Sequence, residues 1–240
     1  MPEGPPPLAL EIRGVEKTYG GIRPLRIQAL DIAAGTRAML VGFDRPAAEA
    51  FVNLITGATL PDSGEVVSLG RPTRDLADSD EWLAFVEQFG IVSDRVVLLE
   101  AMTVAQNLAI SFDLELDPVP PDVQSRVAEL AKEAGIESAA LCTRVADAGS
   151  LLQARVRLAR ALALDPGLLL LEHATAGLPS EDTRTLAFAI RNIGERRGLT
   201  VVGLTADEKF GEEVGGRLLV WRPATGELRE RASWKSWPFS

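Results

Sequence analysis

Residues 38–57 read AMLVGFDRPAAEAFVNLITG, and this stretch decides the fold. Its first four residues are continuously apolar, which is typical of a central strand in a parallel sheet. Gly42 opens a short loop, and helical periodicity runs from Pro46 to Ile55. A strand, a loop that begins with glycine and a helix, in this order, form the layout of a phosphate-binding loop. The stretch therefore predicts an α/β fold with such a loop after a central strand.

The rest of the chain alternates short strand-like runs with helical stretches. Two runs alternate apolar and polar side chains, as half-buried strands do, and two are continuously apolar, as central strands are. These runs are residues 8–15, 26–32, 168–171 and 201–204. Helical periodicity covers 123–134, 151–164 and 180–196. For the last of these helices, Ser180 is the expected N-cap and Gly198 the expected stop.

The order of these segments predicts the domain organisation. The part of the chain at 94–162 is richer in helix than its flanks. We therefore predict an α/β core formed by 8–93 and 163–223, with a helical subdomain inserted at 94–162. Residues 1–7 are rich in proline and are expected to be a disordered lead and not a signal peptide. The aromatic tail at 224–240 is expected either to be an interaction patch or to cover a sheet edge.

The composition excludes several classes of protein. The chain is 46% hydrophobic and 25% charged, as in an ordinary globular protein. Its formal net charge of −9 repels phosphate backbones, so no nucleic-acid partner is expected. The apolar runs are too short or too interrupted to cross a bilayer, and we expect a cytoplasmic protein. The one cysteine, Cys142, lies in an apolar stretch and is expected to be a buried, inert thiol.

A second long motif lies at 155–179, which reads RVRLARALALDPGLLLLEHATAGLP. With this motif and the one at 38–57, the chain resembles the ATP-binding subunits of ABC transporters, from Tyr19 to the strand that ends at Trp221. In that family, 155–179 corresponds to the signature helix, the Walker B strand and the D-loop. The resemblance implies a P-loop NTPase-like ABC ATPase core, with a mixed central sheet flanked by helices. It also implies ATP and Mg²⁺ as cofactors, with Tyr19 stacked on adenine.

The phosphate loop departs from the family pattern. A working loop reads G-x-x-x-x-G-K-[S/T], where the lysine neutralises phosphate and the hydroxyl holds Mg²⁺. Counted from Gly42, the second glycine is Ala47, the lysine is Ala48 and the hydroxyl residue is Glu49. Losing a cation and gaining an anion costs about 8 kcal/mol gross at an effective dielectric of about 20. A micromolar complex holds only about 8 kcal/mol in all, so tight ATP binding in the usual pose is not expected.

Other residues of the loop bear on the same question. Pro46 has no N–H to offer an anion, whereas Arg45 brings a positive charge back to the loop. Acidic residues are favourable at a helix N-terminus. We therefore expect Glu49, helped by Asp44, to cap the helix end that phosphate would otherwise occupy, and we call this arrangement a self-capped loop.

The downstream motifs also depart from the family. The family's L-S-G-G-Q aligns with 148–152, and a one-residue gap would keep Ser150 and Gln153 in role. The Q-loop glutamine position is Asp94 or Ser93, the D-loop aspartate is Pro179 and the switch histidine is Ala206. The paired glycines that face a partner's γ-phosphate are absent.

The Walker B strand ends in Glu172 and His173 where the family has Asp-Glu. Glu172 can still provide a carboxylate for Mg²⁺. His173 occupies the position of the general base, and it is interpreted either as a base or as a polar residue at a strand end with no role in a reaction. The cofactor-binding positions that the resemblance assigns, in vestigial form, are Tyr19, Gly42, Arg45, Ala48, Glu49 and Ser150.

Three functions are open at this point. The first is an ABC-type ATP-binding-like subunit with degenerate motifs that couples or regulates a transporter. It would dock on a membrane permease near 94–103 and pair with a competent ATPase subunit or with its own copy. The second is a weak ATPase that uses Glu172 and His173. The third is a protein-interaction module on the same scaffold. We expect ATP hydrolysis to be absent or very weak.

Overall fold

The computed structural model describes residues 6–231 of the chain and contains two β-sheets with helices packed around them. The strands are β1 (Leu8–Lys17), β2 (Leu25–Ala33), β3 (Arg37–Val41), β4 (Ser63–Ser68), β5 (Arg71–Pro72), β6 (Phe89–Ser93), β7 (Leu168–Glu172), β8 (Thr200–Thr205), β9 (Arg217–Arg222) and β10 (Glu227–Glu230). The α-helices are α1 (Arg45–Ile55), α2 (Ser79–Val86), α3 (Val104–Ala109), α4 (Pro121–Glu133), α5 (Ser150–Leu162), α6 (Ser180–Arg197) and α7 (Glu208–Val214).

The larger sheet has the strand order β10-β9-β3-β8-β7-β6. Its strands run parallel except for β10, which pairs antiparallel with β9. The smaller sheet has the order β2-β1-β4-β5 and is antiparallel throughout. The α/β class with a mixed central sheet flanked by helices is therefore confirmed.

The continuously apolar strands separate two hydrophobic clusters. In β7, Leu169 and Leu171 belong to the cluster that includes α3 to α6, whereas Leu168 and Leu170 belong to the cluster with α1 and the smaller sheet. All four leucines are buried. An unbroken apolar run is thus explained by a strand covered on both faces.

Helix ends follow the expected signals with one exception. Gly198 ends α6 in the left-handed conformation, at a φ of 60°, as predicted. Ser180, however, is the first residue of that helix and not its N-cap. The N-cap is Pro179, which makes no side-chain hydrogen bond. The expectation for Ser180 is wrong because the helix begins one residue earlier than the acidic pattern indicates.

Other expectations are corrected or stay open. Cys142 is exposed, because it ends a 3₁₀ helix (Ser138–Cys142) that buries none of its residues. Part of the predicted tail, Glu227–Glu230, is the edge strand β10. The aromatic residues of the tail and most of the predicted lead lie outside the described residues.

Helices α3 to α5 fall at 94–162, and the division into core and subdomain stays a prediction. Within residues 6–231, no helix combines the length and apolarity needed to span a membrane.

Candidate nucleotide site

The candidate site lies at the carboxyl edge of the larger sheet. There β3 ends at Val41, β6 at Ser93 and β7 at Glu172. These strands are parallel, so the segments that follow them meet at the same edge. Ser93 and Glu172 are direct partners in the register of β6 and β7. The phosphate-loop segment, the 93–97 segment and His173 are thus gathered at one place.

The phosphate-loop segment is capped by its own aspartate. Asp44 is the N-cap of α1, and its Oδ1 accepts the backbone N–H of Ala47 at 2.9 Å. The backbone carbonyl of Asp44 accepts the N–H of Ala48, also at 2.9 Å. A carboxylate therefore occupies the helix end where a working loop binds phosphate, with a favourable charge–dipole interaction.

Glu49 is not part of this cap. The helix begins at Arg45, so Glu49 is its fifth residue and lies beyond the free N–H groups of the first turn. The expectation that Glu49 caps the helix is wrong for this reason, and the self-capped loop has Asp44 alone as its cap. Ala48, at the lysine position, is completely buried in the cluster with Phe51.

Phe43 anchors the loop in the core. Its ring stacks on Trp221 with centroids 4.3 Å apart and meets Phe51 edge-on at 5.4 Å. The indole N–H of Trp221 donates to the carbonyl of Arg26 at 3.0 Å. Gly42 has a φ of 99°, and a Cβ there would lie 3.3 Å from the Trp221 carbonyl, so glycine is required. Aromatic packing of Phe43 therefore fixes the loop to the core.

Arg95 joins Glu49 and Glu172. Its Nε and Nη2 donate to the two carboxylate oxygens of Glu172 at 2.9 and 2.6 Å. Its Nη1 donates to Oε1 of Glu49 at 2.8 Å. The hydrogen bonds to Glu172, ahead of other influences, raise the pKa of Arg95 above its usual value. We call Arg95, Glu49 and Glu172 together the Arg95 bridge.

Arg45 does not supply a free positive charge to the loop. Its Nη1 lies 2.5 Å from Oδ2 of Asp94, one of the two residues predicted for the Q-loop position. Asp94 also lines a cavity of about 150 Å³ with Ser93, Ser150 and other residues. The structure therefore brings Ser150 to the same cavity as the 93–94 segment.

His173 has a strained backbone at the end of β7. Its φ of 44° is in the left-handed region, which is rare for residues other than glycine. Its backbone N–H donates to the carbonyl of Leu204 at 2.9 Å. Among the described residues, its Nε2 has no hydrogen-bond partner, although the atom is buried. Strained backbone and an unsatisfied polar atom at one residue are features that functional sites can hold.

Tyr19 lies on the same side of the molecule as the loop. Its ring packs closely over Gly21, where a Cβ would lie 2.5 Å from the ring. Partial burial, followed by the charge of Asp44, raises the pKa of the Tyr19 phenol. The segment before it is held by Asp62, whose Oδ2 accepts the N–H of Thr18 at 2.6 Å.

The sequence motifs indicate most of these residues but not Arg95. In this segment the family pattern points to Asp94 and Ser93 and not to the next residue. The charges indicate that such a residue is needed. Glu49 and Glu172 stand at two family positions that lie close together in the site, and two carboxylates there need a counter-charge. Within the sequence, however, Arg95 is 77 residues from Glu172 and 46 from Glu49, so only the fold pairs them.

Comparison with known proteins gives the family. A family model described as ABC transporter matches residues 29–176. The methionine import ATP-binding protein MetN of Brucella abortus is 28% identical over 211 residues, which are 88% of this chain and 56% of that protein. The sulfate/thiosulfate import ATP-binding protein CysA of Thermosynechococcus vestitus is 30% identical over 216 residues, which are 89% of this chain and 61% of that protein. The chain thus spans little more than half the length of these relatives.

Solved structures agree on the fold. The structure of cbiO1 from Clostridium perfringens, part of the ABC transporter complex cbiONQ, superimposes with a TM-score of 0.76 at 18% identity. The match covers 92% of this chain and 87% of that chain. The predicted resemblance and the predicted ABC ATPase fold are therefore both confirmed, and the chain belongs to the ABC transporter family.

Proposed function

We propose that this chain is an ATP-binding-type subunit of a membrane transporter that acts in coupling or regulation and does not hydrolyse ATP at its own site. The observation that carries the proposal is the Arg95 bridge together with the Asp44 cap. In the family pattern, the residues at the positions of Glu49 and Glu172 hold Mg²⁺. Here both carboxylates are bonded to one guanidinium.

The residues of the site do not fit Mg²⁺ and ATP in the family's usual pose. Mg²⁺ would have to displace Arg95 from two carboxylates, and a phosphate would have to displace the Asp44 carboxylate from the N–H of Ala47. The buried methyl of Ala48 offers no charge in return. Each change is unfavourable, because a charged hydrogen bond is lost or a like charge is brought close. Hydrolysis at this site is therefore not expected.

A membrane permease is the proposed partner. A groove of about 230 Å³ is lined by Phe89, Ile91, Val96, Leu164 and other residues. Next to it, Val97 is 75% exposed. The groove also has Ser111 and Arg160 in its lining, so its mixed apolar and polar surface, with Val97 beside it, suits an amphipathic partner helix. The relatives named above are import ATP-binding proteins, which favours an import system. The chain would be located at the membrane through this permease.

The groove and the nucleotide site are connected by one short segment. Arg157 donates to the carbonyl of Val96 at 3.2 Å, and Arg160 donates to the carbonyl of Val97 at 2.9 Å. Both arginines belong to α5, and Arg95 lies one residue before Val96. A partner in the groove would thus touch the segment that carries Arg95. This arrangement supports coupling as the role, with a competent ATPase subunit, or a second copy, as the pairing partner.

A second candidate function is a weak ATPase with Glu172 on Mg²⁺ and His173 as general base. The observation that favours it is the buried Nε2 of His173, which has no hydrogen-bond partner within residues 6–231. A neutral imidazole can accept a proton near neutral pH. This function requires Arg95 to leave Glu172. The third function, an interaction module without a transporter, has no such observation among the described residues.

Phosphate release and co-purification test these functions together. The chain is purified from its own cells under conditions that retain membrane partners, and phosphate release is measured with Mg²⁺ and ATP for the purified chain and for the complex. We expect no release above background from the chain alone, and recovery with a permease. Release that His173→Ala abolishes would establish the weak ATPase instead. Recovery without any permease would favour the interaction module.

A further inference from the structure

We propose that Arg95 is a built-in cation that takes the place of a divalent metal ion, so that the folded chain has no metal site for Mg²⁺ or Mn²⁺ to fill. This inference rests on the proposed function for the assignment of Glu49 and Glu172 to metal-holding positions. Beyond that function, the guanidinium of Arg95 is the group that substitutes for the ion, and the site needs no metal.

The hydrogen bonds of Arg95 have the geometry of contacts to a bound cation. Three separate N–H groups of Arg95 are used, two on Glu172 and one on Glu49, at 2.6 to 2.9 Å. The planar guanidinium matches a carboxylate at two points, which a lysine ammonium cannot do. Arg95 thus makes at one place the contacts with two carboxylates that a bound cation would make.

The burial of Glu172 requires a counter-charge. The side chain of Glu172 is only 3% exposed, and a buried carboxylate is costly unless a positive charge and hydrogen bonds compensate it. In the chain as folded, Arg95 provides both. Glu49 is much more exposed, so solvent shares the neutralisation of the second carboxylate. The site therefore has its counter-charge before any ion arrives.

Arg95 is held in position by its own segment and by α5. Its backbone N–H donates to Oγ of Ser93 at 3.1 Å, and the two residues after it are held through their carbonyls by Arg157 and Arg160. Ordering the segment in this way lowers the entropy cost of holding the guanidinium in place. An arginine on an untethered surface loop would lack this advantage.

Manganese binding tests the inference directly. Binding of Mn²⁺, followed by the electron paramagnetic resonance of the free ion, is measured for the wild-type chain, Glu49→Gln, Arg95→Ala and the double variant Arg95→Ala/Glu49→Gln. We expect the wild type to show no binding that depends on Glu49. Arg95→Ala frees both carboxylates, and carboxylates are the ligands that Mg²⁺-like ions bind. This variant should therefore bind Mn²⁺ at least about tenfold more tightly than the wild type. The double variant should lose that gain.

A matched control exists elsewhere on the surface. Arg197 bridges Glu133, at two points, and Asp165, with the same pattern of donors as Arg95. After Arg197→Ala, Glu133 still has Arg196 at 4.0 Å and Asp165 is 93% exposed, so less uncompensated negative charge is left than at Glu49 and Glu172. This variant should gain markedly less Mn²⁺ affinity than Arg95→Ala. An equal gain would show that any freed pair of acids suffices, and would overturn the assignment.

Two further outcomes would overturn the proposal. One is Mn²⁺ binding by the wild type that Glu49→Gln abolishes, a result that is decisive even if Arg95→Ala does not fold. The other is a folded Arg95→Ala that gains no affinity. The proposed function fails separately, through phosphate release by the purified wild type, so the two failures are distinguishable.

Discussion

Arg95 and Glu172 form a two-point ion pair across 77 residues of sequence, with donor–acceptor distances of 2.9 and 2.6 Å. The pair joins the segment after β6 to the end of β7, at the edge of the sheet where the family holds nucleotide. Glu172 is buried and Arg95 is about half exposed. The pair therefore compensates a buried charge and also holds the two segments together. Its consequences for stability and for binding can both be measured.

Arg95→Ala is expected to destabilise the chain by about 1 to 3 kcal/mol, since it leaves the buried Glu172 carboxylate without a donor. Adding Glu172→Gln removes the stranded charge and should recover most of the loss. Urea unfolding of the wild type, the single variant and the double variant measures both effects. A double variant no more stable than Arg95→Ala would contradict the role given to this pair.

Asp44→Ala is expected to cost about 1 kcal/mol of stability, the usual effect of losing a side-chain N-cap. Asp44→Asn keeps an acceptor and should cost much less. Glu49→Ala serves as the comparison, because its ion pair with Arg95 is exposed on both sides and such pairs contribute about 0 to 1 kcal/mol. Chemical denaturation ranks the three variants. Equal losses for Asp44→Ala and Asp44→Asn would argue against capping.

At position 173 the backbone conformation predicts an order of stability. A residue with a Cβ is disfavoured at a φ of 44°, by about 1 to 2 kcal/mol, whereas glycine is not. His173→Gly should therefore be more stable than His173→Ala, by about 1 kcal/mol. Thermal unfolding compares the two. If His173→Ala is the more stable, the left-handed conformation is not retained in the protein.

Asp62 gives an expected pH dependence. The N–H of Thr18, followed by the ammonium of Lys17, holds the pKa of the Asp62 carboxyl below its usual value. A lowered folded-state pKa means that the carboxylate stabilises the fold above the unfolded pKa of about 4 and that this contribution disappears as pH falls through the lower, folded value. The stability difference between wild type and Asp62→Asn should thus shrink below about pH 4. Urea midpoints of the two proteins measure this difference. If it stays constant as the solution is acidified, Asp62 does not stabilise the fold through its carboxylate.

Much of the fold can be predicted from the sequence because its signals are local. The helix at 46–55 has its periodicity and proline, and its observed bounds are Arg45–Ile55. The continuously apolar strands are buried on both faces, as their composition indicates. Short elements such as α3, with six residues, carry too little periodicity to be recognised.

The site was only partly predictable. Asp44 before Arg-Pro is a recognisable N-cap pattern, and the family positions locate Glu49 and Glu172. The partner of both acids is determined by which strands are neighbours, and that information is not local. The exposure of Cys142 was missed for a related reason, since an apolar composition does not reveal that the segment forms a 3₁₀ helix with no buried residues.

Calorimetric titration of ATP with Mg²⁺ into the purified chain tests the central claim most directly. Asp44 caps α1 and Arg95 pairs with both Glu49 and Glu172, so we expect an affinity no better than about 1 mM, which corresponds to about 4 kcal/mol of binding free energy. A low-micromolar dissociation constant that is lost when Mg²⁺ is chelated would contradict the account.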